Sequence, residues 1–138
     1  MVEDIKTTVR TSFDVINKND LAAFQKALAP KFHAAFTDVA KRAHTAFPDM
    51  KLTVDDVISE GDKVVTRWTM TGTHKGLARQ SVLGEVKPTG KRVTVQGITI
   101  HQVQNGVIVD TWGVTGKLEA LEQLGLMAEY TAALAHKR

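Results

Sequence analysis

The chain has 138 residues, 43% hydrophobic and 24% charged, which fits one globular domain over 1–138 rather than two domains or a disordered chain. It contains no cysteine, which excludes disulfide scaffolds, thiolate metal sites and cysteine nucleophiles. The net charge of +3 comes from 18 basic and 15 acidic residues spread along the chain; the one dense basic group (Lys87, Lys91, Arg92) has no interleaved aromatics, so no nucleic-acid partner is expected.

No apolar run approaches the ~18 residues of a membrane span. Met1–Lys6 carries acids where a signal peptide carries bases. A cytoplasmic protein without membrane contact is therefore expected.

Val2, Ile5, Val9, Phe13 and Ile16 recur at three- and four-residue steps, so a first helix turns one stripe to a core. Asp20 reads as the N-cap of a short second helix with Leu21, Phe24 and Leu28, which stops before Pro30. A third helix runs from about Phe32 to Ala46, with Phe36, Val39, Ala40, Ala43 and Phe47 on one side, and Phe47-Pro48-Asp49 breaks it. Strand signals follow. Leu52, Val54 and Ile58 alternate with polar neighbours, Asp56 interrupting the series, and Glu60-Gly61-Asp62 is a turn. Lys63–Thr73 is rich in β-branched residues, with Val64, Trp68 and Met70 on one face. Lys75–Gly90 reads as a loop or an irregular edge segment closed by the turn Pro88-Thr89-Gly90, Arg92–Gln104 as a strand, and Val107 to about Thr115 as its partner across an Asn105-Gly106 type I′ turn. A last helix carries Leu118, Leu121 and Leu124, weakened at Gly125, with a tail to Arg138 that extends it or frays. Helices first, then strands, then a helix is an α+β order.

The two-residue turn predicts a pairing register. His101 is expected opposite Asp110, Thr99 opposite Trp112, Gly97 opposite Val114 and Val95 opposite Gly116, all on one face. His101 could titrate near neutrality, with Asp110 orienting it, Trp112 as an apolar wall and the glycines leaving space.

Ala46-Phe47-Pro48-Asp49-Met50, Glu60-Gly61-Asp62-Lys63-Val64-Val65, Arg67-Trp68, Gly72-Thr73-His74-Lys75-Gly76, Pro88-Thr89-Gly90-Lys91-Arg92-Val93, Gly97-Ile98, Asn105-Gly106 with Ile108-Val109, and Trp112 form an ordered series. Over about residues 45–126 this series resembles the SnoaL-like polyketide cyclases of the nuclear-transport-factor-2-like superfamily. The resemblance implies a curved mixed β-sheet forming a cone-like half-barrel, packed by N-terminal helices around a pocket, and frequent homodimers through the outer sheet face. It also implies an intramolecular aldol closure by an acid, without metal or cofactor. That acid lies four residues beyond the tryptophan of the last strand. Here the position is Gly116, which cannot move a proton. The Leu77–Lys87 loop is longer than the pattern, and the Pro30–Thr37 segment is shorter.

The candidate catalytic residues are therefore His101, as acid/base, and Asp110. Trp68, Met70, Thr99, Trp112, Gly116 and His33 are the candidate substrate-binding residues, with His33 matching loosely a family histidine at the pocket mouth. His74 reads as a structural histidine at a strand end. No histidine or carboxylate spacing suits a metal, and no phosphate-binding or dinucleotide motif occurs, so neither metal nor cofactor is expected. The expected ligand is a small hydrophobic carbonyl-bearing molecule, undergoing cyclisation, isomerisation or hydrolysis by proton transfer. The alternatives are a non-catalytic binding protein, suggested by Gly116, and a dimeric association module.

Overall fold

The computed structural model describes residues 2–136, with side chains from residue 5 onward. The Val2 side chain and the last two positions of the tail, 137–138, lie outside the described residues.

Helix α1 (Val2–Asn17) is followed by α2 (Leu21–Lys26), one turn of 3-10 helix (Pro30–Phe32) and α3 (His33–Ala46). The Asp20 side chain accepts from the Ala23 amide and caps α2, as its sequence position suggests. Strands β1 (Lys51–Glu60), β2 (Lys63–Thr73), β5 (Arg92–Gln104) and β6 (Val107–Thr115) form one curved sheet in the order β1-β2-β5-β6. Every ladder in it is antiparallel, so the mixed sheet expected from the resemblance is corrected. Parallel pairing is confined to an isolated bridge between Leu28 and Ile108. The sheet curves around the helices without closing into a barrel.

The segment expected as a loop or an irregular edge contains a small hairpin, β3 (Ala78–Gln80) with β4 (Gly84–Val86). Its turn is held by the Gln80 side chain, which accepts from the amides of Val82 and Leu83 at 2.7 Å each. Asn105 and Gly106 both have positive φ, 53° and 78°, the geometry a type I′ turn requires. Gly125 (φ 77°) ends α4 (Lys117–Gln123), and α5 (Met127–His136) begins two residues later. The Leu126 amide reaches back to the Leu121 carbonyl at 2.9 Å, a glycine-based helix stop. The last helix is thus two helices.

The core has two parts. Val9 and Phe13 of α1, Phe24 and Leu28 around α2, and Ala40 of α3 pack on Val64, Val103 and Ile108 of the sheet. Val93, Val95 and Leu124, joined by Phe47, Met70, Ala120 and Leu126, fill the other end. Each such large side chain contributes about 1.5–3 kcal/mol by leaving water. Two contacts fix the helices to the sheet margins. Asn17 hydrogen-bonds both the carbonyl and the amide of Leu52, at 2.8 and 2.7 Å. Ile108 exchanges backbone bonds with Ala27 and Ala29, at 2.8 and 2.9 Å.

The expected register holds for the first two pairs, Gln104–Val107 and Val103–Ile108, and then shifts. A β-bulge at Val109 places Gln102 opposite Asp110, His101 opposite Thr111, Ile100 opposite Trp112 and Thr99 opposite Gly113. The inner face of β6 therefore carries Thr111, Gly113 and Thr115. Asp110 and Trp112 turn outward; Trp112 is 62% exposed. The physical reason is desolvation. An unshifted strand would press a carboxylate against His101 and Val64, which are 6% and 0% exposed, and burying it there without full hydrogen bonding costs several kcal/mol by general estimates. One extra residue exchanges that acid for a threonine.

Candidate functional site

A cavity of about 520 Å³ lies between the inner sheet face and the helices, within the roughly 300–1,000 Å³ range of small-molecule sites. Phe13 and Ile16 of α1, Phe24, Leu28, and Phe36, Val39 and Ala43 of α3 form its helical side. Trp68 and Met70 of β2, Val93, Val95, Thr99 and His101 of β5, and Ile108, Thr111 and Thr115 of β6 form its sheet side. The alternation of strand side chains explains the set: positions two apart on β2 and β5 point the same way.

Trp68 and Gly97 are directly paired across β2 and β5. A Cβ on Gly97 would stand 2.3 Å from the indole, so only glycine lets the ring lie across the neighbouring strand. In that pose Trp68 Nε1 donates to Thr99 Oγ1 at 2.9 Å. The Thr99 hydroxyl keeps its own proton for a further acceptor.

His101 is buried, with Nε2 3.1 Å from the hydroxyl of fully buried Thr66 and its ring edge-on to Phe13. Its Nδ1 has no hydrogen-bond partner among the described residues. Burial pushes the imidazole pKa down to about 4, so the ring is neutral at neutral pH and can accept or donate one hydrogen bond without carrying charge.

The remaining expected residues lie elsewhere. Asp110 does not meet His101; it accepts from the Thr111 amide on the outer side. Trp112 does not line the cavity. His33 Nε2 bonds to the Leu28 carbonyl at 2.9 Å and tethers α3 to the chain before it. Gly116 precedes α4, and its amide donates to the Gln96 carbonyl at 2.9 Å. A Cβ there would come within 2.9 Å of Glu119 Oε2, so the Glu119 carboxylate crowds the space beside it. Trp68, Met70, Thr99 and His101 are the expected residues that do share the cavity.

Sequence reasoning did not assign Thr111, Thr115 or Lys117 to the site, because the bulge that turns the threonines inward has no sequence signature. Among the described residues no carboxylate lines the cavity, and no three His, Asp or Glu side chains cluster as metal ligands would. No helix among them is long and apolar enough to cross a membrane.

The sequence profile of the SnoaL-like polyketide cyclases matches residues 6–124. The chain belongs to the SnoaL-like polyketide cyclase family. Solved SnoaL-like structures agree in fold. TsrD of Streptomyces laurentii is 24% identical with a TM-score of 0.80, covering 91% of this chain and 97% of its own. AclR of Streptomyces galilaeus, named as a candidate hydroxylase, is 25% identical with a TM-score of 0.80 and covers 99% and 98%. IdmH of Streptomyces antibioticus, named as a candidate polyketide cyclase, is 26% identical with a TM-score of 0.75 and covers 88% and 98%. A search of curated proteins finds no match. The names of AclR and IdmH point to different activities, hydroxylase and cyclase, and fold alone does not choose a chemistry.

Proposed function

We propose that this SnoaL-like protein binds a small, hydrophobic, carbonyl-bearing molecule in the cavity beneath the sheet. The supporting observation is the wall itself: a mostly hydrocarbon and aromatic surface broken by a few polar side chains, Thr99 and His101 among them, with Trp68 holding the Thr99 hydroxyl in place. Such a wall takes an apolar body and orients it through a carbonyl oxygen. Proton transfer, if the ligand is turned over, falls to His101, the buried imidazole on that wall. Native mass spectrometry of the purified protein, followed by turnover of the identified ligand by wild type and His101→Ala, tests the reading. Loss of turnover in the variant supports the enzyme; equal turnover removes His101 from the chemistry.

A second reading, a protein that holds its ligand unchanged, is favoured by one observation. Gly116 stands where the family acid is expected, and Asp110 faces away from His101. A ligand recovered intact after long incubation supports it, and product accumulation rejects it.

We propose in addition that the protein is a homodimer through the outer sheet face. Ile98 and Val114 are directly paired there and, with Trp112, are 43%, 53% and 62% exposed. An apolar patch of this kind on a sheet face fits a second copy.

A further inference from the structure

The cavity wall is not uniform. Ser12, on the helical side, spends its hydroxyl on the Val9 carbonyl; apart from it and His101, the polar side chains gather on one strip: Thr99 on β5, Thr111 and Thr115 on β6, and Lys117 at the start of α4. Thr99 is paired with Gly113, and Thr111 and Thr115 flank that glycine two residues away on the same face. A Cβ on Gly113 would stand 3.0 Å from Thr99 Oγ1 and from the Ile98 carbonyl. The glycine therefore leaves the surface between the hydroxyls open. With His101 neutral, Lys117 is the only charged residue among the described residues that line the cavity. No carboxylate among the described residues pairs with it. The next acid in sequence, Glu119, is turned toward Gly116 and Gln123. The bulge at Val109 completes the pattern, since it removes Asp110, the one acid β6 could have placed on this wall.

We propose that this strip is a carboxylate subsite: the cavity takes an apolar carboxylic acid as its anion, with the Thr99 and Thr115 hydroxyls donating to the carboxylate oxygens and Lys117 supplying the opposite charge. The proposal rests on the reading of the cavity as a ligand site and names the ligand's charged end. A neutral ketone would use one hydroxyl and leave the ammonium without a partner. A carboxylate uses both, through charge-assisted hydrogen bonds beside a low-dielectric wall. A cationic ligand would meet repulsion from Lys117 and find no acid.

Two probes of matched size, 2-naphthoate and 2-naphthamide, separate the possibilities by isothermal titration at about pH 7.5, where a carboxylic acid is ionised. Naphthoate should bind wild type tighter than the amide by about three- to tenfold, as expected for one partly exposed ion pair with its hydrogen bonds. High salt should weaken naphthoate alone. Lys117→Met should abolish the preference, while Lys117→Arg should retain it. Lys117 is exposed, so neither variant threatens folding. Equal binding of both probes, or a preference that survives Lys117→Met, overturns the carboxylate subsite and leaves the cavity reading intact. Failure of both probes to bind overturns the cavity reading, and the subsite with it.

Discussion

The indole of Trp68 lies flat across Gly97 on the neighbouring strand and reaches Thr99. The backbone of one residue and the ring of another thus occupy space that no side chain at position 97 could share. Alanine in a strand is ordinarily favoured over glycine by about 0.4–1 kcal/mol. Here the clash dominates. Gly97→Ala should destabilise the protein by about 1–3 kcal/mol, the usual cost of overpacking. It should also move the Trp68 emission as the ring leaves Thr99. Urea denaturation followed by tryptophan fluorescence checks both. A variant as stable as wild type would show that the ring can move aside freely.

The buried imidazole makes stability depend on acid. His101 titrates near 6.5 when unfolded and at about 4 when folded. Above 6.5 neither state binds the proton, and the group contributes no pH dependence. As pH falls from about 6.5 to 4, the unfolded chain takes up the proton first, so stability is lost by about 3 kcal/mol over that window and then levels off. His74, also lowered by burial, acts in the same direction. Denaturation at a series of pH values should show this loss in wild type and a smaller loss in His101→Gln. Identical profiles would refute a depressed pKa at His101.

His74 should separate stability from binding. The residue is fully buried, its Nδ1 accepts from the Thr89 amide at 3.2 Å, and its backbone bonds Lys91 and Gly90. It ties the end of β2 to the turn before β5. His74→Ala should cost about 1–3 kcal/mol through the lost acceptor. The affinity for 2-naphthamide should be unchanged, because His74 does not line the cavity. A large loss of affinity in a folded variant would give it a direct role.

The outer face predicts an oligomer. Trp112→Lys should convert a dimer to a monomer in sedimentation experiments while leaving the thermal midpoint nearly unchanged, since Trp112 contributes little to the interior of its own subunit. A wild-type monomer at micromolar concentration would reject the dimer.

Much of this architecture could be read from local pattern. The β2 and β5 boundaries follow the β-branched runs, and Asn105-Gly106 specifies its turn because both residues accept positive φ. Trp68, Met70, Thr99 and His101 were readable as one inward face because alternation is a local rule. Asp110 and Trp112 were not. Their facing depends on one extra residue at Val109, and the cause is the desolvation of a carboxylate against Val64, which touches β6 only through the tertiary fold. Thr111 and Thr115 became wall residues through the same step. Gly97 was seen as space, but which ring fills it depends on strand pairing.

The clamps at the two margins of the sheet have a consequence for assembly. Asn17 occupies the Leu52 peptide groups on β1, and the segment around Leu28 occupies Ile108 on β6. An incoming strand would have to displace these contacts to pair along the full length of either margin. Edge-to-edge growth into the endless ribbons that open sheet margins invite is therefore disfavoured where these clamps sit.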